Sequence, residues 1–254
     1  MTCDIYSIEG NIGSGKSTLV NMLKIEQENN KNIVFMDEPV CIWESIKDKE
    51  GTNIIEKFYG NTQKYAFSFQ MMAYISRISM LKDIIKKHPG KTIICERSVY
   101  TDKNVFAKML YDCGEIEDVN YQIYMKWFDE FVNDLNINGL IYVRAEPETS
   151  YKRVVKRNRK GETIPLEYLQ KCHNYHDTWI YNEKDVNIII LDANDDKREC
   201  DNDYVIWFKK INQFIKINNK YVKNYEQHDK QKQQENDYLY DNDLTEHIQL
   251  LNGS

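Results

Sequence analysis

Gly10-Asn11-Ile12-Gly13-Ser14-Gly15-Lys16-Ser17 is the stretch on which the reading of this chain turns. It matches the G-x-x-x-x-G-K-S/T pattern in full, and its context matters as much as its letters. The apolar run Cys3–Ile8 stands directly before it, and Thr18 to Leu23 continue with helix-forming residues. Glycines at such positions permit a backbone that turns successive N–H groups inward around phosphate oxygens. Lys16 adds a point charge for the β- and γ-phosphates, Ser17 offers a hydroxyl to Mg²⁺, and the helix that follows presents its positive end to the anion. Gly10, Asn11, Ile12, Gly13, Ser14, Gly15, Lys16, Ser17 and Thr18 are therefore the expected cradle of a nucleoside triphosphate.

Working outward, four more short apolar runs read as buried strands: Ile33–Asp37, Thr92–Cys95, Leu140–Val143 and Ile188–Leu191. Together with Cys3–Ile8 they are nearly continuous in apolar residues, as parallel strands covered on both faces are. Helical periodicity fills the intervals, over Gln63–Lys87, Asp118–Leu135 and Pro165–Ile180. Strand–helix alternation of these lengths predicts an α/β fold of the P-loop kinase kind, a five-stranded parallel sheet flanked by helices. We expect one domain over residues 1–217. Residues 218–254, rich in Asn, Gln, Lys, Asp and Tyr, are expected to form a polar tail, disordered or a loosely packed helix.

The 254 residues carry a formal net charge of −6, which speaks against nucleic acid as a partner, because polyanions repel acidic surfaces. Six cysteines are scattered without a Cys-x-x-Cys pair, a spacing that suits reduced thiols better than zinc or a disulfide framework. No apolar run approaches the ~20 residues needed to cross a bilayer. A strand close to Met1 leaves no room for a targeting segment, so the expected location is the cytoplasm. His173 and His176 share a helix face, but no third ligand is evident and packing is the better reading.

Open parallel sheets bind ligands beyond the carboxyl ends of their strands. The second strand delivers Glu38-Pro39-Val40 there, with Trp43 following, and the third delivers Glu96-Arg97-Ser98. A phosphate loop, a carboxylate and a carboxylate–guanidinium pair thus converge from three strands. After the fourth strand, Pro147 fits a first helical position, and Arg153 and Arg157 lie one turn apart on one helix face. On the long helix, Gln70, Ala73, Tyr74 and Arg77 share a face by spacing, while Met72, Ile75, Ile78 and Met80 are expected to pack the core.

These residues resemble the deoxyribonucleoside kinase family, which includes deoxycytidine, deoxyguanosine and mitochondrial thymidine kinases. The likeness runs from about Tyr6 to Asp192 and rests on the phosphate loop, Glu38-Pro39-Val40 with Trp43, Phe69-Gln70, Glu96-Arg97-Ser98, and Arg153 to Leu169 with Ile164-Pro165-Leu166. It implies ATP- and Mg²⁺-dependent phosphorylation of the 5′-hydroxyl of a deoxyribonucleoside. By the same resemblance Glu38 is the general base and Arg97 its partner at the 5′-oxygen. Glu96 completes the metal shell with Ser17, and Arg153, Arg157 and Arg159 belong to a lid over the γ-phosphate. Trp43, Phe69, Gln70 and Phe106 form the base slot, and Tyr59 and Glu162 meet the sugar 3′-hydroxyl. The stretch between Arg159 and Pro165 is a residue shorter here than in several relatives.

Arg77, Asp102 and Ala73 match relatives that prefer cytosine or purines, which implies deoxycytidine or a purine deoxynucleoside as acceptor, with thymidine disfavoured. The family is commonly dimeric, so a homodimer is expected. Two other readings stay open at this point: a nucleoside monophosphate kinase, against which the negative charge of Glu38 argues, and a non-catalytic subunit that kept the fold, against which the intact Lys16, Ser17, Glu38, Glu96 and Arg97 argue.

Overall fold

The computed structural model describes residues 2–132, 135–159, 162–195 and 204–219. The chain divides into two compact units, Met1–Ile211 and Asn212–Ser254. In the second, the described residues 212–219 are helical. Most of the expected polar tail, together with Lys160 and Cys200, lies outside the described residues.

Five parallel strands form the sheet of the first unit in the order β2-β3-β1-β4-β5. They are β1 (Asp4–Glu9), β2 (Ile33–Met36), β3 (Thr92–Glu96), β4 (Gly139–Arg144) and β5 (Asn187–Asp192). The apolar runs placed all five to within a few residues. Central β1 pairs with β3 and β4 on either side, Ser7 lying in register with both Cys95 and Leu140. Tyr6, Ser7, Ile8, Ile93 and Ile141 are essentially inaccessible, as expected where helices cover both faces of a parallel sheet.

The helices are α1 (Lys16–Glu26), α2 (Val40–Ser45), α3 (Ile54–Gly60), α4 (Thr62–Lys87), α5 (Val99–Thr101), α6 (Lys108–Asp112), α7 (Asp118–Val132), α8 (Pro147–Arg157) and α9 (Leu166–Asn182). A π-helical segment, Asp102–Ala107, joins α5 to α6 without a break. Helix α4 runs 26 residues without a glycine or proline. The Asn61 side chain accepts from Lys64 N at its start, Lys86 and Lys87 suit its negative end, and His88-Pro89-Gly90 stops it.

One core joins Ile5, Ile93 and Cys95 of the sheet to Ile78 and Leu81 of α4 and to Tyr124, Phe128 and Val132 of α7. Tyr74 belongs to this core and not to the site-lining face, where its spacing had put it. Its ring stacks on Phe128 at 5.6 Å, and its hydroxyl donates to Trp127 O. Ile75, expected inside, is 51% exposed. A helix flanked by neighbours on several sides buries more than one stripe, and spacing alone does not say which stripe is left over. No described helix is long and apolar enough to cross a membrane.

Candidate active site

The glycine loop leaves β1 and enters α1 at Lys16. Gly13 has φ 81°, and a Cβ there would stand 2.5 Å from Ser150 O and 2.9 Å from Val154 Cγ2, so the loop touches α8 where only glycine fits. Gly10 meets the backbone of β4 in the same way, with Val143 O 2.4 Å from a built Cβ. Ile12 to Thr18 line a cavity of about 770 Å³. Gly10 and Asn11, expected in that lining, instead stand behind it. The Asn11 side chain accepts from Ile12 N and donates to Leu169 O of α9, which braces the loop from below.

Lys16 reaches back to Asn11 O at 2.7 Å. Burial, followed by the neighbouring Arg97 charge, pushes its ammonium down to about 7. A polyphosphate arriving in the loop would reverse that push, since an adjacent anion favours the charged form. Ser17 Oγ donates to Glu96 Oε1 at 2.6 Å. One hydroxyl and one carboxylate side by side fit Mg²⁺, which takes few protein ligands and fills its octahedron with phosphate oxygens and water.

At the end of β2, Glu38 points into the same cavity. Its Oε1 accepts from Arg97 Nη1 at 2.8 Å and from Arg77 Nη2 at 3.2 Å, and no described hydrogen bond reaches Oε2. Burial works to raise its pKa, but Arg97, Arg77 and Lys16 outweigh burial and hold it at about 2. Pro39 stands at the start of a short helix, α2. Glu38 nevertheless caps nothing, because its carboxylate is turned to the two guanidiniums.

Arg97 sits at φ 63°, a left-handed conformation that is uncommon for a side-chain-bearing residue and typical of constrained sites. Its backbone N–H bonds Ile8 O, Nη2 bonds Gly10 O, and its guanidinium lies 5.2 Å from the centre of the Phe106 ring. The turn that carries it is fastened by Glu9, a residue the sequence reading passed over. This fully buried carboxylate accepts from Ser7 Oγ, Ser98 N, Ser98 Oγ and Thr101 Oγ1. The signal was a charge at the end of β1, immediately before the glycine loop.

Arg77 is buried, as is Asp102. Its Nε bonds Asp102 Oδ2 at 3.0 Å and Nη1 bonds Glu96 O at 3.0 Å, while Nη2 serves Glu38. Burial raises the Asp102 carboxyl to about 6 against the pull of Arg77. The π-helical segment holds Asp102 and Phe106, both in the cavity wall, and π-turns of this kind recur at functional sites. Gln70 and Ala73 line the wall from α4, and Gln70 Oε1 is buried without a partner. Trp43, whose Nε1 donates to Ser76 Oγ, packs edge-on to Phe69 at 5.5 Å, and Phe58 adjoins both Phe69 and Tyr59. Tyr168, which the sequence reading missed, meets Tyr59 edge-on from α9.

Arg153, Arg157, Arg159 and Glu162 line the same cavity. Arg153 donates to Ser14 O at 3.2 Å and to Asp195 O at 3.0 Å, and Arg157 pairs with Glu162 at 2.5 Å. Arg157 and Arg159 are exposed. Tyr204 and Trp207 complete the lining without having been foreseen. The two helix histidines are buried. His176 Nδ1 lies 2.7 Å from Cys172 O, and burial drives its pKa well down, so it packs as a neutral ring. Among the described residues, no group of three or more His, Cys, Asp or Glu could hold a metal ion by itself.

Residues 6–216 match the family model described as deoxynucleoside kinase. The chain is similar to a probable deoxycytidine kinase of fowlpox virus, 38% identical over 196 residues that cover 75% of this chain and 78% of that one. It is 34% identical to deoxycytidine kinase 1 of Xenopus laevis, over 82% of this chain and 89% of the relative. The identity to human deoxycytidine kinase is also 34%, over 82% and 90%.

Proposed function

The chain belongs to the deoxynucleoside kinase family, and from that premise we propose that it transfers the γ-phosphoryl group of ATP to the 5′-hydroxyl of deoxycytidine or a purine deoxynucleoside. That it is a deoxyribonucleoside kinase follows from the family and its relatives. The donor, the metal, the base preference and the residue roles are our reading. The observation that carries it is the grip of Arg97 and Arg77 on one oxygen of Glu38, in the cavity that also holds Lys16 and the glycine loop.

A 5′-hydroxyl is a weak nucleophile at neutral pH, so a carboxylate must accept its proton as transfer proceeds. Glu38 Oε2 is that acceptor, kept ionised by the two guanidiniums on Oε1. Arg97 then steadies the charge passing between the 5′-oxygen and the base. Lys16 and the arginines of α8 neutralise charge building on the transferred group. Ser17 and Glu96 would hold Mg²⁺, which would supply positive charge to offset that of the phosphates. Tyr59 and Glu162 would meet the 3′-hydroxyl, and the unpartnered Gln70 amide would pair with the base edge between Trp43, Phe69 and Phe106.

The Arg77–Asp102 pair supports the base preference. All three guanidinium nitrogens are engaged, so a 5-methyl group pressing on the pair would disturb buried charges that have no water to fall back on. The test is an assay with γ-labelled ATP against the four deoxyribonucleosides. Deoxycytidine or a purine nucleoside should label strongly and thymidine weakly; strong labelling of thymidine alone would undo the preference. A homodimer is supported by α7, where Trp127 (47% exposed) and Phe131 (40%) stack on each other at 5.3 Å. A Trp127→Lys variant sedimenting as the wild type would remove that support.

A further inference from the structure

Arg144, the last residue of β4, takes part in neither the phosphate loop nor the base slot, yet its guanidinium is among the most heavily bonded in the molecule. Nη1 donates to Glu146 Oε1 at 2.6 Å, Nε reaches both oxygens of Asp177 at 3.2 Å, and Nη2 donates to Asp177 Oδ2 at 3.0 Å and to His173 Nε2 at 3.1 Å. Tyr142, two residues earlier on the same strand face, donates to Asp177 Oδ1 at 2.7 Å. Asp177 and His173 belong to α9, and Glu146 is the residue from which α8 starts.

The ties continue into the donor side of the cavity. Glu146 N donates to Asn194 Oδ1 at 2.8 Å, and Ala193 N returns to Arg144 O at 2.8 Å. Arg153, two turns into α8, spans Ser14 O of the glycine loop and Asp195 O. A two-residue link, Ala145-Glu146, is all that separates the Arg144 cluster from the helix that carries the cavity's arginines. The cluster is a quarter open to solvent at Arg144 and about half at Glu146, and partly exposed ion pairs contribute little to stability. The five bonds of the Arg144 guanidinium fix direction more than they hold the fold together.

We propose that Arg144 is a positioning residue for phosphoryl transfer: by tying Asp177 and His173 of α9 to Glu146 at the root of α8, it sets the angle at which Arg153 and Arg157 stand over the glycine loop. This rests on the lid reading of α8 given above. An arginine suits the task because its planar fork presents five donors in fixed directions, whereas a lysine has three on one freely rotating nitrogen.

The test is a cycle of Arg144→Met, Arg153→Met and the double variant, with KM measured for ATP and for deoxycytidine, and Tm for each protein. Arg144→Met should raise the KM for ATP about tenfold, because a misplacement of about 1 Å at a reacting group is costly. The KM for deoxycytidine should stay within about twofold, and Arg144→Lys should restore part of the loss. On the Arg153→Met background, Arg144→Met should add clearly less than it does alone, since part of its effect runs through Arg153. Asp177→Asn, cutting the same tie from α9, should repeat the ATP effect and guards against misfolding of the first variant. If Arg153→Met raises the KM for ATP while Arg144→Met and Asp177→Asn do not, or if the two losses multiply, the positioning role is overturned and the lid reading stands. If Arg153→Met leaves the KM for ATP unchanged, the lid reading falls and takes this role with it.

Discussion

The rim formed by β2, β3 and α4 and the helix α8 line one cavity and are built on opposite plans. On the rim, Glu38, Arg77, Arg97 and Asp102 are bonded to one another at 2.8 to 3.2 Å and closed off from solvent, only Glu38 remaining partly open. At the end of α8 and just past it, Arg157 has the partner Glu162, Arg159 has no described ion pair or hydrogen bond, and both are exposed. Arg153, further back on α8, is half-buried and bonded to the backbone. Buried charges must be paired or they destabilise the fold, whereas solvated ones can wait for a ligand. The rim is therefore a preformed surface that can select an acceptor by shape and polarity. The exposed Arg157 and Arg159 are the solvated side of the contrast.

The contrast is sharpest in what substitution on each side should cost. Glu38→Gln keeps the shape and removes the base, so kcat should fall about 10³-fold while ATP binding, read by calorimetry, is retained. A loss below about tenfold would mean the proton goes elsewhere.

Arg97→Met should lower kcat about 100-fold, the scale of one lost oxyanion-type donor, and should also change the pH profile. The folded pKa of Glu38 is depressed from 4.5 to about 2. Its carboxylate therefore stays ionised down to strongly acid pH, and the stability its pairing contributes is present above its ordinary value and lost as pH falls through about 2. The wild type should accordingly show no acid limb from Glu38 in kcat/KM for the nucleoside at ordinary assay pH. Without Arg97 the pKa rises and a limb should move upward. An unchanged profile in the variant would separate the two residues.

On the other side, Arg153→Met should raise the KM for ATP about tenfold and spare the acceptor, as measured by initial rates with each substrate varied in turn. An equal effect on both substrates would erase the distinction between the two regions. The smallest effect belongs to Arg159→Ala. It should leave stability within about 0.5 kcal/mol of wild type in urea unfolding, as expected of an exposed residue with no described partner. A larger change would show that the segment following α8 is as interlocked as the rim.

Strand order aside, most of the architecture was legible in the residues. Runs such as Leu140–Val143 must be buried on both faces, and the spacing between them leaves room for one helix at a time. The cavity residues were legible for the same reason: phosphate, metal and proton chemistry restrict the residue types, and strand ends restrict where they can lie. What could not be read were bonds made across elements distant in sequence. Glu38, Arg77 and Asp102 lie on three elements, and that one guanidinium serves both carboxylates depends on how α4 lies across the end of β3. Glu9 and Arg144 look like ordinary charges at strand ends until their partners on α5 and α9 are in place.

By itself the sequence determined the parallel sheet, the glycine loop with Lys16 and Ser17, and the carboxylates at the ends of β2 and β3, because local backbone freedom, burial and chemistry each leave few alternatives there. The tertiary structure alone decided that Tyr74 turns to the core while Ile75 faces water, that Asn11 braces the loop from behind the cavity, and that Glu38 offers only one oxygen to the arginines. The physical reason is that a side chain's direction is chosen by the sum of all neighbours competing for the same space and the same hydrogen bonds, and that sum exists only once the helices have docked on the sheet.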